Sequence, residues 1–565
     1  MNLSPNKKIA GVLAPIFALR REGDLGIGDL AGLREFIDWL AEAGFHLVQL
    51  LPINETGPDN SPYNAISATA IEPTTLDLSP QALEDLNRDD FASVAANVDL
   101  EKLRRGPVKY RRVKKLKHEL MEKAFGKFCA SAGRDRRGQF EKFCAEESAW
   151  LGNYTFFRAL MEENQGTEQW DRWQTKHRAP QIARAWLDRQ SLEKRENFER
   201  RRQFFCYVQW IAHKQWREIK SYAESRGVAL MGDIPFGVSY YSGDVWAHPD
   251  QFTLDWSGGA PPEIYFKDDE FTQKWGQNWG IPLYRWDVMR ANNFDWWRQR
   301  VRGVRQIFHL FRIDHILGFY RIYSFPWRPR LNREFLPLDW NQMLERTGGR
   351  APRFAPRDDS NPQNCEANRR EGEEYLRMVL GEAGAERVVG EDLGTVPDYV
   401  RPHLLSLGIA GFKIPQWEIQ NGKVIPGSQY QRLSVATYAT HDHKPVRKLW
   451  EEALEPPSSD SDQARDNINK IADFAGFQRQ SEQVYFERDF YPVIMEGLFK
   501  CESWIAIVMI TDLLARNYRF NVPGTAVSTN WARRMQRSVS QLRSSRKEQR
   551  RMKLIRELLE KAGRL

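Results

Sequence analysis

FRIDHILGFYRIYSFP, residues 311–326, is the stretch from which the fold is read. Leu310, Phe311 and Ile313 are bulky and apolar, and the apolar run stops at Asp314 and His315. A buried strand that delivers polar side chains at its C-terminal end is how an α/β barrel builds a site. Side chains alternate along a strand, so Arg312 and Asp314 share a face. An arginine that close favours the charged carboxylate, the form a nucleophile needs. By itself the pair reads equally well as a buried ion pair with no chemistry.

Working outward, seven further apolar runs have strand character. With Phe308–His315 they are Gly11–Phe17, His46–Ile53, Val228–Phe236, Arg387–Leu393, Gly408–Gln416, Ser434–His443 and Trp504–Leu513. Helical periodicity lies between most of them. After the first run, Asp29 is placed to N-cap a helix with Leu30, Leu33, Phe36, Ile37 and Leu40 on its apolar face, and Gly44 to close it. Eight strands alternating with helices predict a (β/α)8 TIM barrel with helical and loop insertions on its C-terminal face.

The spacing locates the insertions. Residues 83–225 read as a helical insertion subdomain, and the aromatic, Gly/Pro-rich stretch Ser257–Trp286 as a lid loop over the active face. Thr347–Glu371 reads as a further polar loop. The catalytic barrel is expected over residues 1–534, followed by a basic, helical tail over 535–565.

Of the 565 residues, 41% are apolar and 28% charged, the balance of a globular protein with a large core. No apolar run approaches a membrane span. The five cysteines are odd in number and form no CxxC pair, which points to neither a disulfide framework nor a zinc ribbon. The cytoplasm is the expected compartment. The net charge of +8 belongs to the tail, where Arg533–Leu565 holds twelve Lys/Arg against three Glu. The body is near neutral, so nucleic acid is not expected as the main partner. The tail and a second basic run, Lys102–Lys117, read as solvated surface.

Carboxylates recur at the predicted strand ends: Asp233 in GDIPF, Asp314 in RIDH, Glu391 and Asp392 in GEDLG, and Asp442 in THDH. Two chemistries fit such a cluster. A retaining glycosyl transfer uses a nucleophilic carboxylate and a protonated acid about 5–5.5 Å apart. A metal-dependent barrel enzyme, such as a lyase, would use Asp233, Asp314 and Glu391 as ligands. Arg312 weighs against a second cation there. The rim aromatics Tyr63, Trp256, Tyr265, Phe266, Trp275, Trp279 and Tyr284 favour sugar faces.

The motifs then run in order along the chain: LGIGDLAGL (25–33), LLPI with SPY (50–53, 61–63), GDIPFGV with DVWAHPDQF (232–238, 244–252), GAPP and GQNWGIPLYRWD (259–262, 276–287), RIDH (312–315), GEDLG (390–394), THD (440–442) and RFNVPGT with NW (519–525, 530–531). Together they resemble the 4-α-glucanotransferases (amylomaltase or disproportionating enzyme) of glycoside hydrolase family 77 in the α-amylase clan. The match covers nearly the whole length and ends near Arg534. The resemblance implies a retaining double displacement on α-1,4-glucans, with maltooligosaccharides, maltose and glucose as donors and acceptors and no cofactor or metal.

It also implies roles. Asp314 would be the nucleophile, Glu391 the general acid and then base, and Asp442 the stabiliser of the oxocarbenium-like sugar. Arg312, His441 and Asp233 would hold the nucleophile and the sugar. Tyr63 would stack on the sugar, Asn521 would contact substrate, and Trp279 would belong to the lid. A hydrolase of the same clan is the alternative. The chain departs from the common pattern at Ile316-Leu317, at Asn64, at Glu263-Ile264 and at His443, where Asn or Leu is expected after THD. The changes after RIDH bring it closer to the plant cytosolic and maltose-using enzymes.

Overall fold

A computed structural model describes residues 3–263, 269–384, 386–478, 483–525 and 528–565. Eight parallel strands form one sheet: β1 (Ile9–Leu13), β2 (Leu47–Gln49), β3 (Ala229–Pro235), β4 (Leu310–Asp314), β5 (Val388–Gly390), β6 (Gly411–Lys413), β7 (Ser434–Ala436) and β8 (Ile505–Met509). β1 pairs with both β2 and β8, and the order runs on through β3 and β4 to β5 on one side and through β7 to β6 on the other. A parallel bridge from Val389 to Ala410, with Gly390 N–H donating to Ala410 O at 2.8 Å, joins the two ends into a barrel. Seven of the eight expected runs contain one of these strands, and the first, Gly11–Phe17, overlaps β1, which begins two residues earlier at Ile9. β1, β3 and β8 are buried along their whole length, which is why they read as unbroken apolar runs.

The first barrel helix is Leu30–Glu42, capped by Asp29, whose carboxylate accepts from Gly32 N–H at 2.9 Å. Its buried side chains include the five expected from the sequence. Between β2 and β3 the chain forms seven α-helices, from Arg88–Ala95 to the 34-residue Leu192–Ser225. The basic run here is only partly solvated. Lys117 is buried and donates to Thr74 O and Leu76 O at 2.6 and 2.7 Å, and Lys114 donates to Thr56 Oγ1 at 3.0 Å.

Two expected loops are structured. Phe252–Ala260 and Gln277–Tyr284 are antiparallel strands, joined by Ile322–Phe325 and Arg353–Ala355 into a four-stranded sheet beside the barrel. Their alternation is hidden by glycines and by a register shift between Thr253 and Gly258. Gly259 sits so close to the neighbouring strand that a Cβ there would meet Gln277 O at 1.8 Å. Tyr265 and Phe266 lie outside the described residues. The Thr347–Glu371 stretch holds Arg353–Ala355 and the start of helix Pro362–Ala383.

The basic C-terminal segment also differs from a solvated tail. Helix Arg546–Lys561 buries Met552, Ile555, Leu558 and Leu559 and packs on helix Tyr491–Lys500, while Val539–Ser544 packs on Leu30–Glu42. Arg564 is fully buried. Its guanidinium donates to the carbonyls of Phe499, Ile9, Cys501, Ser503 and Trp504 at 2.6–3.1 Å. Among the described residues no helix is long and apolar enough to cross a membrane.

Candidate active site

β4 ends as its alternation dictates, with Arg312 and Asp314 on one side of the strand. The Arg312 guanidinium is buried and acts as a hub. Nη1 lies 2.7 Å from Asp233 Oδ2, and Nη2 lies 2.8 Å from Asp314 Oδ1 and 3.8 Å from Glu391 Oε2. Parallel register brings Asp233 beside Arg312 directly, since the two are paired residues of β3 and β4. Tyr63 donates its hydroxyl to Asp233 Oδ2 at 2.8 Å. Asp233 Oδ1 is buried with no hydrogen-bond partner, an acceptor open to a ligand hydroxyl. Burial raises the Asp233 carboxyl to about 6, with Arg312 opposing and Asp314 adding to the rise.

Glu391 follows β5. Its Oε2 accepts from the backbone N–H of His315 at 2.8 Å and its Oε1 from that of Leu393 at 3.0 Å. The first bond depends on a left-handed turn immediately after β4, where His315 has φ 48° and ψ 53°. Burial pushes the Glu391 carboxyl up to about 7. Arg312 pulls it down, and the charge of Asp314 raises it further.

Asp442 lies on the loop after β7. Burial alone would raise its carboxyl, but His441 at 3.2 Å and the Asn521 amide, donating to Oδ1 at 2.6 Å, hold it well below the usual range. The His441 ring stacks on Tyr63 with centroids 5.1 Å apart, and Trp531 tilts against both. Trp279 is 40% exposed and meets the site through His315, edge to face at 4.8 Å.

The chemistry this permits is specific. Asp314 and Glu391 share one Arg312 nitrogen, so their nearest oxygens are no farther apart than those two distances added together. That limits them to the retaining spacing or the lowest edge of the inverting one, about 6.5–9.5 Å. One carboxyl is ion-paired and another is raised towards neutrality, the division of labour that acid and nucleophile require. Among the described residues no group of three or more His, Cys, Asp or Glu is arranged to hold a metal ion. The guanidinium itself stands among the three acids that the metal alternative would use.

A family model described as 4-alpha-glucanotransferase matches residues 14–540. The chain belongs to the 4-alpha-glucanotransferase family. Membership makes it a glycosyltransferase that moves α-glucan segments, as the ordered motifs imply. A 4-alpha-glucanotransferase of Chlamydia pneumoniae is 30% identical over 543 residues, covering 94% of this chain and 92% of the relative. A rice (Oryza sativa subsp. japonica) protein named 4-alpha-glucanotransferase DPE2 is 34% identical over 327 residues, 56% of this chain and 32% of its own. The solved amylomaltase from Streptococcus agalactiae in complex with acarbose superposes with a TM-score of 0.76 at 23% identity, covering 99% of this chain and all of that one. That likeness bears on the fold.

Eight of the nine residues named from the sequence thus meet around Arg312, Tyr63 and Asp442, and Trp279 joins them through His315. Sequence reading passed over the backbone amides of His315 and Leu393, and also Arg519, which donates to Asp442 O. It gave no role to Trp531 or Trp417, and none in glycosyl transfer to His443. Arg519 and Trp531 stand inside RFNVPGT and NW, so a signal was present, but their contacts with the THDH loop span long stretches of chain.

Proposed function

We propose that the chain transfers α-1,4-glucan segments from a maltooligosaccharide donor to glucose or another glucan by retaining double displacement. The observation that carries this reading is Arg312 gripping Asp233 and Asp314 with Glu391 at 3.8 Å. Asp314 attacks the anomeric carbon. Glu391, neutral up to about pH 7, protonates the leaving oxygen. The resulting carboxylate then takes the proton of the acceptor hydroxyl as the glucosyl–Asp314 ester is displaced. Asp442, held as the anion, faces the positive charge that develops on the sugar ring. Asp233 Oδ1 accepts from a sugar hydroxyl, His441 and Asn521 fix Asp442, and Tyr63 presents a ring face to the sugar.

Trp279 and the sheet strands that carry it exclude water from the ester, which favours transfer over hydrolysis. In this reading residues 83–225 form the helical rim and 257–286 the lid. The five cysteines are unpaired, in keeping with a reducing cytoplasm.

The deciding experiment pairs Asp314→Asn with product analysis. Wild type given maltotriose should redistribute chain lengths with few new reducing ends, and a fluorosugar inhibitor should leave a glucosyl adduct on the Asp314 peptide. Activity retained in Asp314→Asn, or an adduct elsewhere, rejects the assignment. Net release of reducing ends favours the hydrolase.

A further inference from the structure

We propose that His443 donates a hydrogen bond from Nε2 to a hydroxyl of the acceptor sugar and thereby selects among acceptors, an inference that rests on the catalytic reading above. Three consecutive residues after β7 turn three ways. His441 stacks on Tyr63, from the loop after β2. Asp442 is held by Asn521, from the segment after β8. His443 leans the opposite way and meets Trp417 edge to face, with centroids 4.8 Å apart and planes at 87°. Trp417 follows β6, and β6 lies between β5, which leads into Glu391, and β7. The His443 ring therefore stands on the Glu391 side of Asp442. An acceptor hydroxyl has to arrive on that side to be activated by the Glu391 carboxylate.

The backbone fixes which nitrogen carries the proton. His443 Nδ1 lies 3.0 Å from both the N–H and the Oγ1 of Thr440. A backbone N–H can only donate, so Nδ1 presents its lone pair and the proton of the neutral ring sits on Nε2. Burial lowers the ring to about 4, which keeps it neutral at ordinary pH. No atom among the described residues accepts from Nε2, and this nitrogen of a half-buried residue is not among the fully buried unpartnered atoms, so the donor stays open to a ligand. Trp417, 48% exposed, closes the other side of the ring and limits its rotation. One nitrogen is anchored to the main chain and the other is a free, oriented donor, an arrangement preorganised for one hydroxyl. His443 is also where the chain departs from the common sequence after THD, so acceptor choice is expected to differ here.

The test uses the full-length protein with α-maltosyl fluoride as donor and glucose or its 2-, 3- and 6-deoxy analogues as acceptors. His443→Phe keeps a ring against Trp417 but removes the donor. It should raise the acceptor KM about three- to tenfold, leaving kcat at saturating acceptor and acceptor-free fluoride release within about twofold of wild type. His443→Gln, which restores an N–H, should recover part of the loss. Wild type should penalise one deoxyglucose that His443→Phe does not. An unmoved acceptor KM overturns the proposal, as does an equal fall in acceptor-free fluoride release. Asp314→Asn is assayed alongside. Transfer surviving in that variant counts against the catalytic reading itself, independently of His443.

Discussion

The backbone N–H of His315 donates to Oε2 of Glu391 at 2.8 Å, so the turn that ends β4 holds the carboxyl that follows β5. Asp314, the residue before that turn, is thereby kept at a set distance from Glu391 by main chain as well as by Arg312. Glu391 needs its proton in the first half-reaction, and burial has raised it to about 7. Its acid form is lost as pH rises through that value, so glucan transfer should fall with an alkaline limb near 7. With α-maltosyl fluoride, whose leaving group needs no proton, formation of the maltosyl enzyme should lack that limb. Glu391→Gln should cost about 10²–10⁴-fold on glucans and much less in the fluoride burst. The same shift has a stability sign. The folded state binds the proton more tightly than the unfolded chain, so stability declines as pH rises from the ordinary carboxylate range to about 7.

Arg312 is a buried cation set between the buried Asp233 and the half-buried Asp314 and Glu391. Arg312→Met leaves Asp233 and Asp314 without it, and breaking a buried ion pair by removing one partner costs about 3–5 kcal/mol. The urea midpoint should drop accordingly at unchanged slope. Arg312→Lys restores the charge without the planar fork that reaches two acids at 2.7 and 2.8 Å. It should fold close to normally and lose at least about tenfold in kcat, equivalent to about 1.4 kcal/mol of transition-state stabilisation. A lysine variant with full activity would show that the fork is dispensable.

Asn521 supports the anion of Asp442 through a 2.6 Å hydrogen bond. Hydrogen bonds to charged groups are worth about 1.5–3 kcal/mol, so Asn521→Leu should reduce kcat by about 10- to 150-fold. The sign of the pH effect follows from the cause. Removing a donor that favours the carboxylate raises the Asp442 pKa, so the acid limb of the rate profile should move to higher pH in this variant. An acid limb that stays in place would assign it to another group.

The barrel strands were legible because most are buried on both faces and run into polar residues, as Phe311 and Ile313 stop at Asp314. The acids were legible for the same reason, since parallel strands carry their C-terminal residues to one rim. What stayed hidden was set by backbone geometry or by distant packing. Nothing in the letters RIDH shows that His315 adopts φ 48° and turns its amide to Glu391. The sheet strands Phe252–Ala260 and Gln277–Tyr284 were obscured by Gly258, Gly259 and Gly280, which break the alternation that marks a strand. Charge counting misread the C-terminal segment, because it weighs Arg551 and Arg564 as solvated when both are buried. The i, i+3, i+7 spacing of Met552, Ile555 and Leu559 carried the correct signal.

That segment supplies the last prediction. A solvated tail would be removable, with activity intact and only the salt dependence of association altered. The packing requires otherwise. Deleting residues 546–565 uncovers the apolar face of Tyr491–Lys500 and the turn that follows Leu30–Glu42, where a Cβ at Gly44 would already meet the Leu565 side chain at 2.2 Å. It also strips donors from five carbonyls, that of Ile9 at the start of β1 and those of Phe499, Cys501, Ser503 and Trp504 in the segment leading into β8. The truncated chain should be recovered as aggregate, or with a thermal midpoint many degrees below that of the full chain. Arg564→Met isolates the carbonyl contribution while preserving much of the volume. An unsatisfied buried polar group costs about 1–3 kcal/mol, so even partial re-satisfaction by water leaves a loss of at least about 2 kcal/mol in denaturant titration. Kinetic constants measured on the fraction that remains folded should match the wild type, since Arg564 binds the opposite end of the barrel from Asp314. A full-length Arg564→Met of unchanged stability would mean that the guanidinium is incidental and the apolar face of the helix does the holding.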